Sequence, residues 1–141
     1  MDNHSISNTI FSIAHSYRLT MRSALKASEL GLNSMHVKCL SYIHNSEACT
    51  ANDIVQFLGR DKAQIARLVK EMISNNWLTK TANPEDKRSQ FLSLTEEGQA
   101  LAALIADTQS KVSIKMKQNL SDEELKEFSR IAGIISNNLK S

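Results

Sequence analysis

Residues 77–95 break step with the rest of the chain. Elsewhere the apolar positions recur every three or four residues, the helical period. In "WLTKTANPEDKRSQFLSLT" the period falls to two on either side of a turn. "WLTKTA" and "SQFLSL" predict two short strands. "NPEDKR" between them holds the single Pro of the chain, Pro84, which presets φ for a turn. A two-stranded hairpin with an exposed, charged tip is therefore set into a helical protein.

The helices around it follow from apolar spacing. Ile6, Ile10, Ile13, Tyr17 and Met21 mark a helix from Ile6 to about Ala27, with Phe11, Ala14, Ala24 and Leu25 widening its stripe. "ELGLN" interrupts it at Gly31. Asn33 is the expected N-cap of a second helix through about Asn45, bearing Met35, Cys39, Leu40 and Ile43. Thr50, with Asp53 three residues on, predicts a capped third helix that ends at Gly59. Asp61 and Gln64 form a second capping-box pair. They open a fourth helix with Ile65, Leu68, Val69, Met72 and Ile73 on one face.

After the hairpin, Thr95 starts a helix running to about Asn119, with Glu96 and Glu97 in its positive first turn. Ser121 and Glu124 cap a last helix bearing Leu125, Phe128, Ile131, Ala132, Ile135 and Leu139. The first and last helices carry apolar stripes that a small central unit does not cover. A second copy of the chain would bury them.

Charge distribution points to a partner more clearly than net charge, which is only +2. Residues 1–49 hold four basic and three acidic side chains, 50–95 hold seven and five, and 96–141 hold six and seven. The basic third contains the fourth helix and the hairpin, as an acidic partner requires. No run of about 18 apolar residues exists to cross a membrane. No basic, then apolar, leader opens the chain. Two cysteines, Cys39 and Cys49, make no disulfide framework. The expectation is a cytoplasmic protein with free thiols and no bound cofactor. No G-x-S-x-G, H-E-x-x-H, P-loop or dinucleotide fingerprint is present, so an enzyme is not expected.

Two helices separated by a few residues around Gly59 predict a helix-turn-helix. Half a revolution from the buried face of its second helix lie Ala63, Arg67, Lys70 and Ser74, with Gln64 on the flank. Such a face suits the major groove: Arg pairs with guanine, Gln with adenine, and Ala permits close approach. Arg60, Lys62 and the backbone amides at the helix start can reach phosphates. Lys87 and Arg88 stand at the hairpin tip. Asp86, two residues before Arg88, is expected to hold its guanidinium in place. A solvated basic face and an ordinary charged turn are the alternative readings of the same residues.

The segment "TANDIVQFLGRDKAQIARLVKEMISNNWLTKTANPEDKRSQFLSLTEEGQAL" resembles the winged helix-turn-helix of the MarR family of bacterial transcription regulators. The wing signature D-x-R-x-x-x-x-x-L-T is complete in Asp86, Arg88, Leu94 and Thr95. The resemblance implies a mainly α fold with a small β-hairpin. It implies a DNA-binding lobe over 33–95, and dimerisation helices over 1–30 and 96–141 of a single subunit. It further implies a homodimer on a pseudo-palindromic operator of double-stranded DNA, usually repressing. Arg67 on the recognition helix and Arg88 on the wing become the base or groove contacts, with Asp86 orienting Arg88.

Many such regulators leave DNA when a small aromatic or phenolic effector enters a cleft between the dimer helices and the DNA-binding lobe. His15, Tyr17, Arg18 and His36 are placed to line such a cleft, or are ordinary residues at helix margins. Cys39 falls on an apolar stripe and reads as inert. Cys49 precedes a helix start and is the more reactive of the two thiols. His36 and Cys39 share a helix face, but His44 lies roughly 12 Å from His36 along the axis, too far for one ion. Thiol or metal sensing on the same fold, and a winged helix that binds protein instead of operator DNA, remain the alternatives.

Overall fold

The computed structural model describes residues 5–26 and 30–140. Its described elements are helix α1 (Ile6–Leu25), α2 (Ser34–His44), strand β1 (Cys49–Thr50), α3 (Ala51–Leu58), α4 (Lys62–Ser74), β2 (Leu78–Thr81), β3 (Phe91–Leu94), α5 (Glu96–Met116) and α6 (Asp122–Lys140). The chain divides into two compact units, Met1–Gln109 and Ser110–Ser141.

Local chemistry fixes most helix ends. Asn33 accepts from the His36 amide at 2.9 Å, and the His36 ring accepts from the Asn33 amide at 3.0 Å. Thr50 and Asp53 form the same reciprocal box. So do Ser121 and Glu124. At Asp61 only the first half forms, with its carboxylate accepting from the Gln64 amide at 2.8 Å. The Thr95 hydroxyl accepts from the Gly98 amide and donates to the carbonyl of Asn76. It thereby caps α5 and ties it to the end of α4.

Two helices are shorter than their periodicity suggests. α1 stops at Leu25, where Lys26 turns left-handed at φ 55° and bonds back to the carbonyls of Arg22 and Ser23. The expected end at Ala27 lies outside the described residues. α5 stops at Met116 instead of about Asn119, which itself has a φ of 65°.

The core of the first unit gathers Leu25, Leu40, Ile54, Ile65, Val69, Met72, Leu78, Leu92 and Ile105 among others. Tyr42 of α2 stacks on Phe57 of α3 with ring centroids 4.4 Å apart. The hairpin pairs Leu78 with Leu94 and Thr81 with Phe91. A third antiparallel strand joins it: Cys49 and Thr50 of β1 pair with Leu92 and Phe91, giving the order β1-β3-β2. The sequence predicts a two-stranded hairpin here. A strand of two residues carries no readable period, and only a long-range pairing reveals it. In the second unit α6 has no buried residue, and Phe128, Ile131, Ile134 and Leu139 stand exposed.

Candidate nucleic-acid interface

α3 and α4 are joined by Gly59, Arg60 and Asp61. Gly59 closes α3 in the left-handed region at φ 63°, a conformation that costs other residues a clash at Cβ. The chain then reverses into α4 within two residues. α4 buries Ile65, Leu68, Val69 and Met72 against the core. The same 3.6-residue period turns Lys62, Ala63, Gln64, Arg67 and Lys70 outward, and all five are exposed, as is Arg60 before the helix. The expected outward face is therefore present as a continuous polar and basic surface. One detail differs: the Gln64 amide is already bonded to Asp61, so it is not a free donor for a phosphate at the helix start.

The wing tip is built by side chains turning the backbone. Asn83 accepts from the Glu85 amide at 3.0 Å, and the Asp86 amide donates to the Asn83 carbonyl. Asp86 then accepts from the Arg88 amide at 2.9 Å, and Ser89 closes onto the Asp86 carbonyl. Two consecutive Asx-type turns result. Asp86, Lys87 and Arg88 are exposed at the tip. The sequence-based expectation of the Asp86 carboxylate on the Arg88 guanidinium is corrected: the carboxylate grips the Arg88 main chain. The turn at the tip puts that amide within hydrogen-bond reach of the carboxylate.

Residues considered for sensing fall elsewhere. His15, Tyr17 and Arg18 lie exposed on α1, with the His15 ring stacked on Phe11 at 5.7 Å. His36 is buried, and both ring nitrogens are engaged: Nδ1 by the Asn33 amide, Nε2 by Glu71 Oε1 at 2.9 Å. Its ring meets Trp77 edge-on at 5.1 Å. It is a junction between α2 and α4 and has no ring nitrogen left for an ion or effector. Among the described residues no group of three or more His, Cys, Asp or Glu converges as a metal site requires.

The expectation of a reactive Cys49 is also corrected. Cys49 is 2% exposed. Burial, with help from Asp53, pushes its thiol up to about 11. Burial, with help from Cys49, pushes Cys39 up to about 12. Position before a helix favours a thiolate only where water or a cation can reach it. β1 takes Cys49 into the sheet instead.

Sequence reading missed Glu71. Its side chain is 54% exposed on α4, yet it is held by His36. The partner lies 35 residues away, beyond any local pattern.

Residues 30–89 match the MarR family. The chain is 28% identical over 124 residues to the HTH-type transcriptional regulator BilQ of Clostridioides difficile (strain CD3), spanning 88% of this chain and 82% of that protein. MepR of S. aureus in its DNA-binding conformation has a similar fold, with a TM-score of 0.85 over 96% of this chain and 98% of that one, at 18% identity. A SlyA-like transcription regulator of Listeria monocytogenes gives 0.81 at 22% identity, over 99% and 90%. The relatives and the fold are those of transcription regulators, not enzymes. Residues 30–89, which hold the helix-turn-helix and the wing tip, thus match the MarR family, and the fold over nearly the whole chain is similar to the folds of MarR and MepR.

Proposed function

We propose that two copies of this chain bind a pseudo-palindromic operator, each laying α4 in the major groove and the wing in the flanking minor groove. The observation that carries this is the unbroken exposure of Arg60, Lys62, Ala63, Gln64, Arg67 and Lys70, followed in the chain by a wing tip with Lys87 and Arg88. Arg67 reads a base edge. Arg60, Lys62 and Lys70 take phosphates, Ala63 lets the backbone approach, and Gln64 takes an adenine. Arg88 enters the narrow groove while Asp86 holds the turn that presents it.

On this reading 33–95 is the DNA-binding lobe, and 1–30 with 96–141 form the dimerisation region. Exposed apolar residues on α1 (Ile6, Ile10, Phe11 and Ile13) and on α6 (Phe128, Ile131 and Ile134) support a second copy as their cover. The protein acts in the bacterial cytoplasm as a repressor. A small aromatic or phenolic effector releases it by favouring a geometry that misplaces the two α4 helices. Among the described residues no helix is long and apolar enough to cross a membrane.

Equilibrium binding of two variants to operator and to random duplex tests the assignment. Arg67→Ala lowers the preference for operator by on the order of tenfold, as expected when one bidentate base contact is lost. Lys70→Ala weakens both duplexes about equally. An unchanged preference in Arg67→Ala removes the base-contact role. A winged helix that docks on protein would instead show little of the steep salt dependence of DNA binding, about a thousandfold between roughly 50 and 200 mM for about six phosphates.

A further inference from the structure

Glu71 stands on the recognition helix four residues after Arg67. At that spacing two helical side chains are neighbours, with Cβ atoms about 5–6 Å apart, and Arg–carboxylate is a natural intrahelical pair. Such a pair would neutralise the guanidinium that the DNA-binding reading needs free. Instead, Glu71 Oε1 lies 2.9 Å from His36 Nε2, and among the described residues Arg67 makes no ion pair. The imidazole is set to hold that carboxylate. Its Nδ1 is fixed by the Asn33 amide at 3.0 Å, and its ring meets Trp77 in a T-shaped contact with centroids 5.1 Å apart. Accepting at Nδ1 leaves Nε2 as the N–H donor, aimed at α4.

We propose that His36 is a specificity-determining positioning residue: by holding the Glu71 carboxylate it keeps the intrahelical partner of Arg67 away, leaving the guanidinium to read a base. Without the imidazole, the half-exposed carboxylate swings to Arg67. The recognition helix then presents a paired arginine. His36 touches no DNA and acts through Glu71. This rests on the reading of α4 as the recognition helix.

The test compares wild type, His36→Leu, Glu71→Ala, His36→Leu/Glu71→Ala, His36→Gln and Arg67→Ala. Each is titrated with the selected operator and with random duplex at one salt concentration. His36→Leu is expected to lower the operator-to-random ratio on the order of tenfold, as loss of the Arg67 contact does. Glu71→Ala changes the ratio by less than about twofold, and the double variant returns to the Glu71→Ala level. His36→Gln keeps the ratio, because its amide oxygen replaces Nδ1 at the cap and its amide N–H replaces Nε2–H. If His36→Leu does not fold, His36→Glu replaces it. Glutamate is an ordinary capping-box residue at that position, and it repels Glu71.

In the DNA-free protein the Arg67 Nε–Hε resonance shifts in His36→Leu and returns in the double variant. A double variant as poor as His36→Leu overturns the inference, since His36 would then act through the fold alone. An unchanged ratio in His36→Leu, with Arg67→Ala still impaired, also overturns it and leaves the DNA-binding reading standing. An unimpaired Arg67→Ala overturns both.

Discussion

Asp86 acts on the main chain, and that changes what its removal does. Its carboxylate accepts from the Arg88 amide and sets the second of two turns at the wing tip. The turn needs an acceptor, not a charge. Asp86→Asn therefore preserves the turn and binds operator at least as tightly as wild type, since a negative charge near phosphate is gone. Asp86→Ala loses the turn and binds several-fold more weakly, comparable to loss of one local side chain–backbone bond. Affinity measurements on the two variants check this, and equal weakening of both would restore a guanidinium clamp.

Cys39 and Cys49 argue at the same scale. Both thiols are buried, and both titrate above the ordinary value of 9.0, at about 12 and about 11. At pH 8 alkylating reagents leave the native protein unlabelled and modify both after denaturation. Below pH 9 folded and unfolded chains both keep these protons, and the thiols put no slope on stability. As pH rises from 9 toward 11–12 the unfolded chain ionises and the folded one does not, so stability falls. Urea unfolding across that range reads the slope. Rapid labelling of native Cys49 would reopen thiol sensing.

Among the elements, α4, the wing and α5 meet in a closely packed joint. Asn76 ends the α4 turn at φ 65°. Its carbonyl accepts from the Thr95 hydroxyl, and its amide group reaches Glu97. The carbonyl of Trp77 accepts from the Thr95 amide. Gly98 lets α5 approach so closely that a Cβ there would sit 2.1 Å from the Trp77 carbonyl oxygen. Gly98→Ala must push α5 off the wing base, costing about 1–3 kcal/mol in chemical denaturation, the usual penalty of overpacking. Wild-type stability in that variant would mean that the joint yields freely. The start of the wing is therefore braced on a helix that the dimer reading places in the dimerisation region.

At the scale of the whole molecule, exposed apolar residues set the prediction. Phe128 is 60% exposed and Ile131 44%, neighbours on α6 at helical spacing. If a second copy covers them, Phe128→Glu with Ile131→Glu yields a monomer in sedimentation equilibrium. Operator affinity then falls about a hundredfold as the second half-site no longer binds as part of one molecule. Duplexes selected from random DNA by the wild type carry an inverted repeat, its half-sites centred roughly 34 Å apart. A wild-type chain that sediments as a monomer at working concentration, or selected sites without symmetry, would remove the dimer.

Local rules alone determined much of this protein. The caps at Asn33, Thr50, Asp61, Thr95 and Ser121, the Gly59 stop and the outward set on α4 were all readable, because each depends on neighbours within four residues. Tertiary structure decided what depends on partners distant in the chain. It added β1 to the hairpin through pairing with β3, and by that pairing buried Cys49. It folded the wing tip so that Asp86 meets an amide, and it brought His36 to Glu71 across 35 residues. A side chain's period announces which way it faces. Which group it meets there is settled only when separate elements pack, since burial and hydrogen bonding across them have no spacing to leave in the sequence.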